Sequence, residues 1–172
     1  LEAGVCIHLN DGPQTTAMKT MGAGWVRIDM NWNIMEAQQD RWDFTPFDRT
    51  IYNAKRAGLQ VFASIGYSPG WASSNGMMNG VPNQARWENF VRTAVSRYKN
   101  DVRVFGIWNE PNLSQFWAGS AQQYVDVLLR PAYAIIKSID PSLYVAGPDL
   151  AMLSSATISA VDFMKVVRQT GG

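Results

Sequence analysis

Near-continuous apolar runs recur five times along the 172 residues, and a segment of helical periodicity follows each one. Val5 to Leu9 reads as the first strand, ended by the turn residues Asn10-Asp11-Gly12-Pro13. Gln14 to Met21 reads as a short helix. Trp25 to Asp29 is the second strand, and a helix runs from about Pro46 to Ala57, closed by Gly58. Gln60 to Ile65 is the third strand. Gly66 to Pro82 is a long Gly-, Ser- and Asn-rich loop, a length that in a compact domain usually carries function. Gln84 to Tyr98 has helical spacing, and Val102 to Trp108 is the fourth strand. Ala121 to Ile139 is a helix with Pro131 expected to kink it. Ser142 to Ala146 is the fifth strand, and Ile158 to Val167 the last helical stretch.

Strands that are apolar on both faces and alternate with helices predict an α/β domain with a parallel sheet covered by helices. Residues 1–172 are expected to form one domain, with no internal linker or low-complexity tract. Two architectures fit: an open doubly wound sheet or a closed barrel. By count alone five units complete an open sheet, since eight units take about 250 residues. No Gly-rich phosphate loop follows any strand, which weakens the open-sheet nucleotide reading.

Composition excludes several functions. The net charge is +1, with no field to favour nucleic acid or an acidic membrane. No apolar stretch is long enough to span a bilayer. The sole histidine, His8, argues against His-rich zinc sites and a Ser–His–Asp triad; no metal and no cofactor are expected. The single cysteine, Cys6, lies in the apolar run Gly4-Val5-Cys6-Ile7 and is expected to be a buried structural thiol. Seven tryptophans fit either a Trp-heavy core or a surface for flat ligands.

In parallel α/β folds reactive groups collect at the carboxyl ends of strands. Those positions hold His8 and Asn10, then Arg27, Asp29, Asn31 and Trp32, then Tyr67, Ser68 and Trp71. Trp108, Asn109, Glu110, Asn112, Phe116 and Trp117 follow the fourth strand, and Asp149 the fifth. Carboxylates and amides suit sugar hydroxyls, and aromatic rings suit pyranose faces, so the mixture favours a carbohydrate ligand. Glu110 is the sharpest residue. Burial beside aromatics would keep its carboxyl protonated and able to donate to a leaving oxygen. Asn109 can bond a neighbouring sugar hydroxyl, and Pro111 is expected to hold Glu110 in extended geometry. The other reading of Glu110 is a helix-start carboxylate in a turn. Arg27 and Asp29 face one side of their strand, as a clamp on a catalytic carboxylate or as a structural ion pair. Glu36 is expected to be a solvated or capping residue of a surface loop.

Several motifs in register resemble a known clan. Gly24-Trp25-Val26-Arg27-Ile28-Asp29-Met30-Asn31-Trp32, then Glu36, Trp42-Asp43-Phe44 and Phe47-Asp48, resembles the second strand and loop of the clan A (β/α)8-barrel glycoside hydrolases. Arg97-Tyr98-Lys99, Gly106-Ile107-Trp108-Asn109-Glu110-Pro111-Asn112, Phe116-Trp117 and Tyr124 resemble its fourth-strand signature. The likeness is greatest to family 39, with family 5 cellulase-like proteins next, and runs from about Gly4 to Asp149.

The resemblance implies a parallel TIM-barrel-like fold with about five of its eight βα units present. It also implies retaining hydrolysis of a β-linked saccharide. Glu110 would be the acid/base, Asn109 the ligand of the hydroxyl beside the anomeric carbon, and Arg27 the support of the nucleophile. His8, Trp32, Tyr67, Trp71 and Trp117 would wall the subsites, with Asn112 also on the substrate rim. A secreted or extracytoplasmic setting is usual for such proteins. The clan's nucleophile is a Glu at the end of the seventh strand, and no Glu follows Glu110 here. Asp149 is on a different strand and Asp162 lies in a helical stretch. The expectation is a partial barrel, inactive or weak without its nucleophile. Two other outcomes are a non-catalytic carbohydrate binder and a self-assembling fragment. Unpaired edges predict a homo-oligomer or a missing carboxy-terminal half-barrel as partner.

Overall fold

A computed structural model describes residues 3–9 and 13–171. The turn residues Asn10 to Gly12 lie outside the described residues. The elements are β1 (Ala3–Ile7), α1 (Pro13–Thr20), β2 (Ala23–Asn31), α2 (Trp32–Met35), α3 (Thr45–Arg56) and β3 (Gln60–Gly66). There follow α4 (Gln84–Tyr98), β4 (Val102–Ile107), α5 (Ala121–Gln123), a π turn (Tyr124–Leu129), α6 (Arg130–Ile139), β5 (Tyr144–Ala146) and α7 (Ala160–Gln169).

All strand pairs are parallel and the spatial order is β1-β2-β3-β4-β5. This order decides between the two architectures. A doubly wound sheet reverses direction after its first strands, whereas a barrel adds each strand beside the last. The chain is a partial (β/α) barrel, not the open sheet that unit count alone favours.

The two faces of the sheet differ in what covers them. Val26, Ile28, Met30, Val61, Ala63, Ile65, Phe105 and Ile107 are fully buried beneath the helices. The opposite, concave face carries the register row Cys6, Arg27, Phe62, Val104 and Tyr144. Here Cys6 is exposed, Phe62 and Val104 are half-buried, and Tyr144 is 58% exposed. In a closed barrel this face is packed by the strands opposite. Cys6 is therefore not the buried thiol its apolar neighbours suggest: β1 is an edge strand and its inward side faces open space. A Cβ at Gly106 would lie 2.7 Å from Phe62 Cζ, so glycine there gives the ring room on this face.

Four of the largest buried side chains are tryptophans. Trp32, Trp87, Trp108 and Trp117 are at most 2% exposed. Trp32 stacks on Phe90 at 5.1 Å, and Trp108 meets Trp87 and Trp117 edge-on. Each indole N–H has an acceptor: Glu36 for Trp32, Leu128 O for Trp87, Phe116 O for Trp108 and Ser120 O for Trp117. These bonds remove the penalty that burying an indole N–H otherwise carries.

Pro131 disturbs its helix as expected, through a change of register. Proline has no N–H to give the carbonyl four residues back. The preceding turn widens to π geometry, and Arg130 N donates to Val125 O, five residues away. Among the described residues no helix is long and apolar enough to cross a membrane.

Candidate active site

The site lies at the carboxyl ends of the strands and is organised by Arg27. Its position on β2 points the guanidinium along the concave face. Nη1 donates to Asp29 Oδ1 at 2.7 Å and to Cys6 Sγ at 3.2 Å. Nη2 donates to Asn109 Oδ1 at 2.8 Å and stands 3.0 Å from Asp149 Oδ2. One planar fork thus ties β1, β2 and the loops after β4 and β5 together, a geometry lysine does not reproduce. Burial alone would lower the Arg27 pKa, but the Cys6 contact and the charges of Asp29 and Asp149 outweigh it and hold it above its ordinary value. Arg27 Nε is buried and has no hydrogen-bond partner among the described residues.

The loop after β4 continues the sheet in an unusual way. Asn109 bridges Asp149 in parallel fashion, and Glu110 N donates to Asp149 O at 2.7 Å. Trp108 and Glu110 adopt left-handed backbone, with φ of 67° and 47°, and Tyr67 after β3 does so at 63°. The extended geometry expected of Glu110 before Pro111 is therefore not found. The bond to Asp149 and the return bond from Leu113 N to Glu110 O, at 3.0 Å, hold the turn instead. A left-handed non-glycine residue costs about 1–2 kcal/mol. Three such residues at one rim, with Tyr67 and Trp108 in ring contact at 5.6 Å, mark strain concentrated at the site. Glu110 is half-buried, and its carboxyl makes no hydrogen bond or ion pair among the described residues.

The other expected site residues divide into two groups. His8, Tyr67 and Trp71 reach the surface. The His8 side chain is 93% exposed, with Nδ1 3.2 Å from Asp29 Oδ2. Tyr67 is half-buried, and its phenolic oxygen accepts from Asn109 Nδ2 at 3.2 Å. Trp71 is half-buried, with its N–H on Glu36 O at 3.0 Å and Arg86 over its ring. Trp32, Asn112 and Trp117 do not reach it. Trp32 and Trp117 belong to the aromatic core described above, so they support the rim from below. Asn112, 1% exposed, clips two loops together: Nδ2 donates to Ala151 O and Ile158 O, and Oδ1 accepts from Ala151 N. Asn10 lies outside the described residues.

Glu36 is a further residue whose place the sequence misjudges. It is 1% exposed, and its carboxylate accepts from Trp32 Nε1 at 2.7 Å and from Asp40 N at 2.8 Å. The spacing of four between Trp32 and Glu36 is the signal that identifies the pair, since residues so spaced meet across one helical turn. Through its carbonyl Glu36 also fixes Trp71. Among the described residues no group of three or more His, Cys, Asp or Glu side chains is placed to hold a metal.

A half-barrel whose rim gathers an arginine fork and an Asn-Glu pair after β4 is the amino-terminal architecture of the clan A (β/α)-barrel glycoside hydrolases. The family described as Cellulase (glycosyl hydrolase family 5) matches residues 8–158. The chain belongs to that family. It is similar to a β-xylosidase of Caldicellulosiruptor saccharolyticus, 30% identical over 148 residues, an alignment covering 75% of this chain and 30% of that protein. Among solved structures it resembles a monomeric β-xylosidase from Caulobacter crescentus CB15, with a TM-score of 0.76 and 22% identity over 100% of this chain and 40% of that one. A GH39 β-xylosidase from Caulobacter crescentus shares the fold at a TM-score of 0.72 and 20% identity, over 100% of this chain and 44% of that one. The chain thus spans less than half the length of these relatives.

Proposed function

We infer that the protein serves the hydrolysis of O-glycosidic bonds in a β-linked oligosaccharide or polysaccharide by a retaining mechanism, with Glu110 as acid/base. The observation that carries this reading is the Asn109 amide locked by Arg27 immediately before a Glu110 carboxyl that has no protein partner among the described residues. Asn109 offers an N–H to the hydroxyl beside the anomeric carbon, and Glu110 protonates the leaving oxygen. The relatives named above are called β-xylosidases, so a β-xyloside is the first substrate to test.

Retention needs a second carboxylate about 5 Å from the acid. Asp29 and Asp149 are the carboxylates of the Arg27 network, and both are engaged by its fork. The nucleophile in this reading is a carboxylate from outside residues 1–172, on a segment that completes the barrel against the open concave face. That segment, or a second copy of the chain, is the partner the face calls for.

Azide tests the reading on this chain, because it can take the place of an absent nucleophile. It attacks the anomeric carbon of an alkyl β-xyloside, the bond to the leaving oxygen breaks, and that oxygen takes the Glu110 proton. Azide-dependent consumption that is lost in Glu110→Gln is the expected result. Equal consumption by both proteins sinks the assignment of Glu110. The engagement of both rim aspartates also favours a second reading, a non-catalytic carbohydrate binder. Xylo-oligosaccharide binding with no azide-dependent turnover selects it.

A further inference from the structure

The Asn109 side chain is held from two sides. Arg27 Nη2 stands 2.8 Å from one amide atom, and the Tyr67 phenolic oxygen 3.2 Å from the other. A guanidinium only donates, so the atom facing Arg27 has to be the carbonyl oxygen. The amide nitrogen is thereby turned toward Tyr67, which settles the usual ambiguity between the two ends of an amide. Nδ2 donates one hydrogen to the phenolic oxygen and keeps another. Tyr67 keeps its own O–H hydrogen. Burial foremost, with the charges of Asp29 and Glu110 and against the opposing effects of the Asn109 bond and the Arg27 charge, raises its pKa above the ordinary phenol value, so that hydrogen stays in place at neutral pH.

Tyr67 is itself rigidly placed. Its backbone is left-handed, its carbonyl accepts from Asn33 N at 3.0 Å, and its ring packs on Trp108 and Phe116. A rigid acceptor opposite a rigid donor leaves the amide between them one orientation.

We propose that Tyr67 is a positioning residue that, opposite Arg27, locks the Asn109 amide so that its remaining N–H is free for a sugar hydroxyl beside Glu110. The lock is a property of the free protein; only its use on a sugar rests on the glycosidase reading. This differs from the subsite wall that the sequence suggests for Tyr67, because the hydroxyl acts through Asn109.

Nitrogen-resolved NMR of the side-chain amides tests the lock directly. In the unaltered protein the two Asn109 Hδ2 signals should be distinct, one of them protected from solvent exchange. Tyr67→Phe keeps the ring contacts and removes the acceptor. Protection of that hydrogen should fall by about two- to tenfold, with the tryptophan-monitored melting curve close to that of the parent. Unchanged Asn109 signals overturn the lock. Should Tyr67→Phe fail to fold, the unaltered protein decides alone: an Asn109 pair exchanging like a free asparagine overturns it.

Xylobiose titration separates positioning from direct contact. Tyr67→Phe and Asn109→Ala should each weaken binding by about two- to tenfold, and the double variant should bind no worse than Asn109→Ala. Additive losses overturn the positioning role. A lock present in the free protein with Asn109 signals unmoved by saturating xylobiose overturns its use on a sugar, and the glycosidase reading with it, while leaving the lock standing.

Discussion

Arg27 donates to Asn109 across 82 residues of sequence, at 2.8 Å, and the same fork holds Asp29 and Asp149. Two half-exposed or better-buried carboxylates thus share one cation at the point where four segments of the sheet meet. The bond that orients the candidate sugar-binding amide is also one that holds the half-barrel's rim together.

Arg27→Gln should therefore affect stability and binding together. It leaves Asp29 and Asp149 without their common cation and Asn109 without a donor. Removing one partner of such a network should cost about 2–4 kcal/mol, since the carboxylates are only partly solvated. Urea denaturation measures it. A loss below about 0.5 kcal/mol would mean that water replaces the fork without penalty.

Glu110→Gly should stabilise the protein. Glycine adopts the left-handed backbone found at Glu110 without strain, worth about 1–2 kcal/mol. The greater freedom of glycine in the unfolded chain returns about 0.4–1 kcal/mol of that. The net expected gain is about 0.5–1 kcal/mol, with Glu110→Gln, which keeps the strain, as control. Equal stability of the two variants would show that the turn carries no strain for a side chain to hold.

Glu36→Ala strands Trp32 Nε1 in a buried place and takes the acceptor from the part-buried Asp40 amide. The buried indole donor should cost about 1–3 kcal/mol. Because the Trp32 indole loses its side-chain acceptor, the variant should alter tryptophan fluorescence in the folded state. Wild-type fluorescence and stability in the variant would contradict the role assigned to Glu36.

Acid should weaken the tie between α3 and α4. The hydrogen bond from Arg97 foremost, with help from Tyr98 and against the opposing effect of burial, holds Asp48 below the usual carboxylate value. A depressed folded-state pKa contributes stability that is present above the unfolded value and is lost as pH falls through the folded one. The window lies below 3.8, the ordinary value. Asp48 and Arg97 are each about 40% exposed, so solvent screening limits the contribution to about 0.5–1 kcal/mol. Asp48→Asn should be less stable than its parent at neutral pH, and the gap should narrow as pH falls below the ordinary carboxylate value. A gap that persists in acid would locate the loss elsewhere.

Much of the scaffold is legible in the amino-acid letters because its signals are local. Gln84–Tyr98 is read to the residue from its apolar spacing, and the structure adds Asn83 as its cap. The strands are read to within a few residues, because both-face apolarity persists along each. Pro131 announces a disturbed helix, though not that the disturbance is a π turn. The rim positions of Arg27, Asn109 and Glu110 follow from their places at strand ends.

The rest depends on segments far apart in sequence. A tryptophan after a strand reads alike whether it faces a ligand or the core; packing against Phe90 and Trp87 put Trp32 inside. The apolar neighbours of Cys6 suggest burial, and its place on an edge strand of an open concave face exposes it. Pro111 favours an extended Glu110, but the carbonyl of Asp149, delivered by β5, captures the Glu110 amide and turns the backbone left-handed. Local periodicity suffices to choose helices and strands because each depends on neighbours a few residues away. Which side chains meet depends on the order and register in which β1 to β5 pair, and that order placed Arg27 against Asn109.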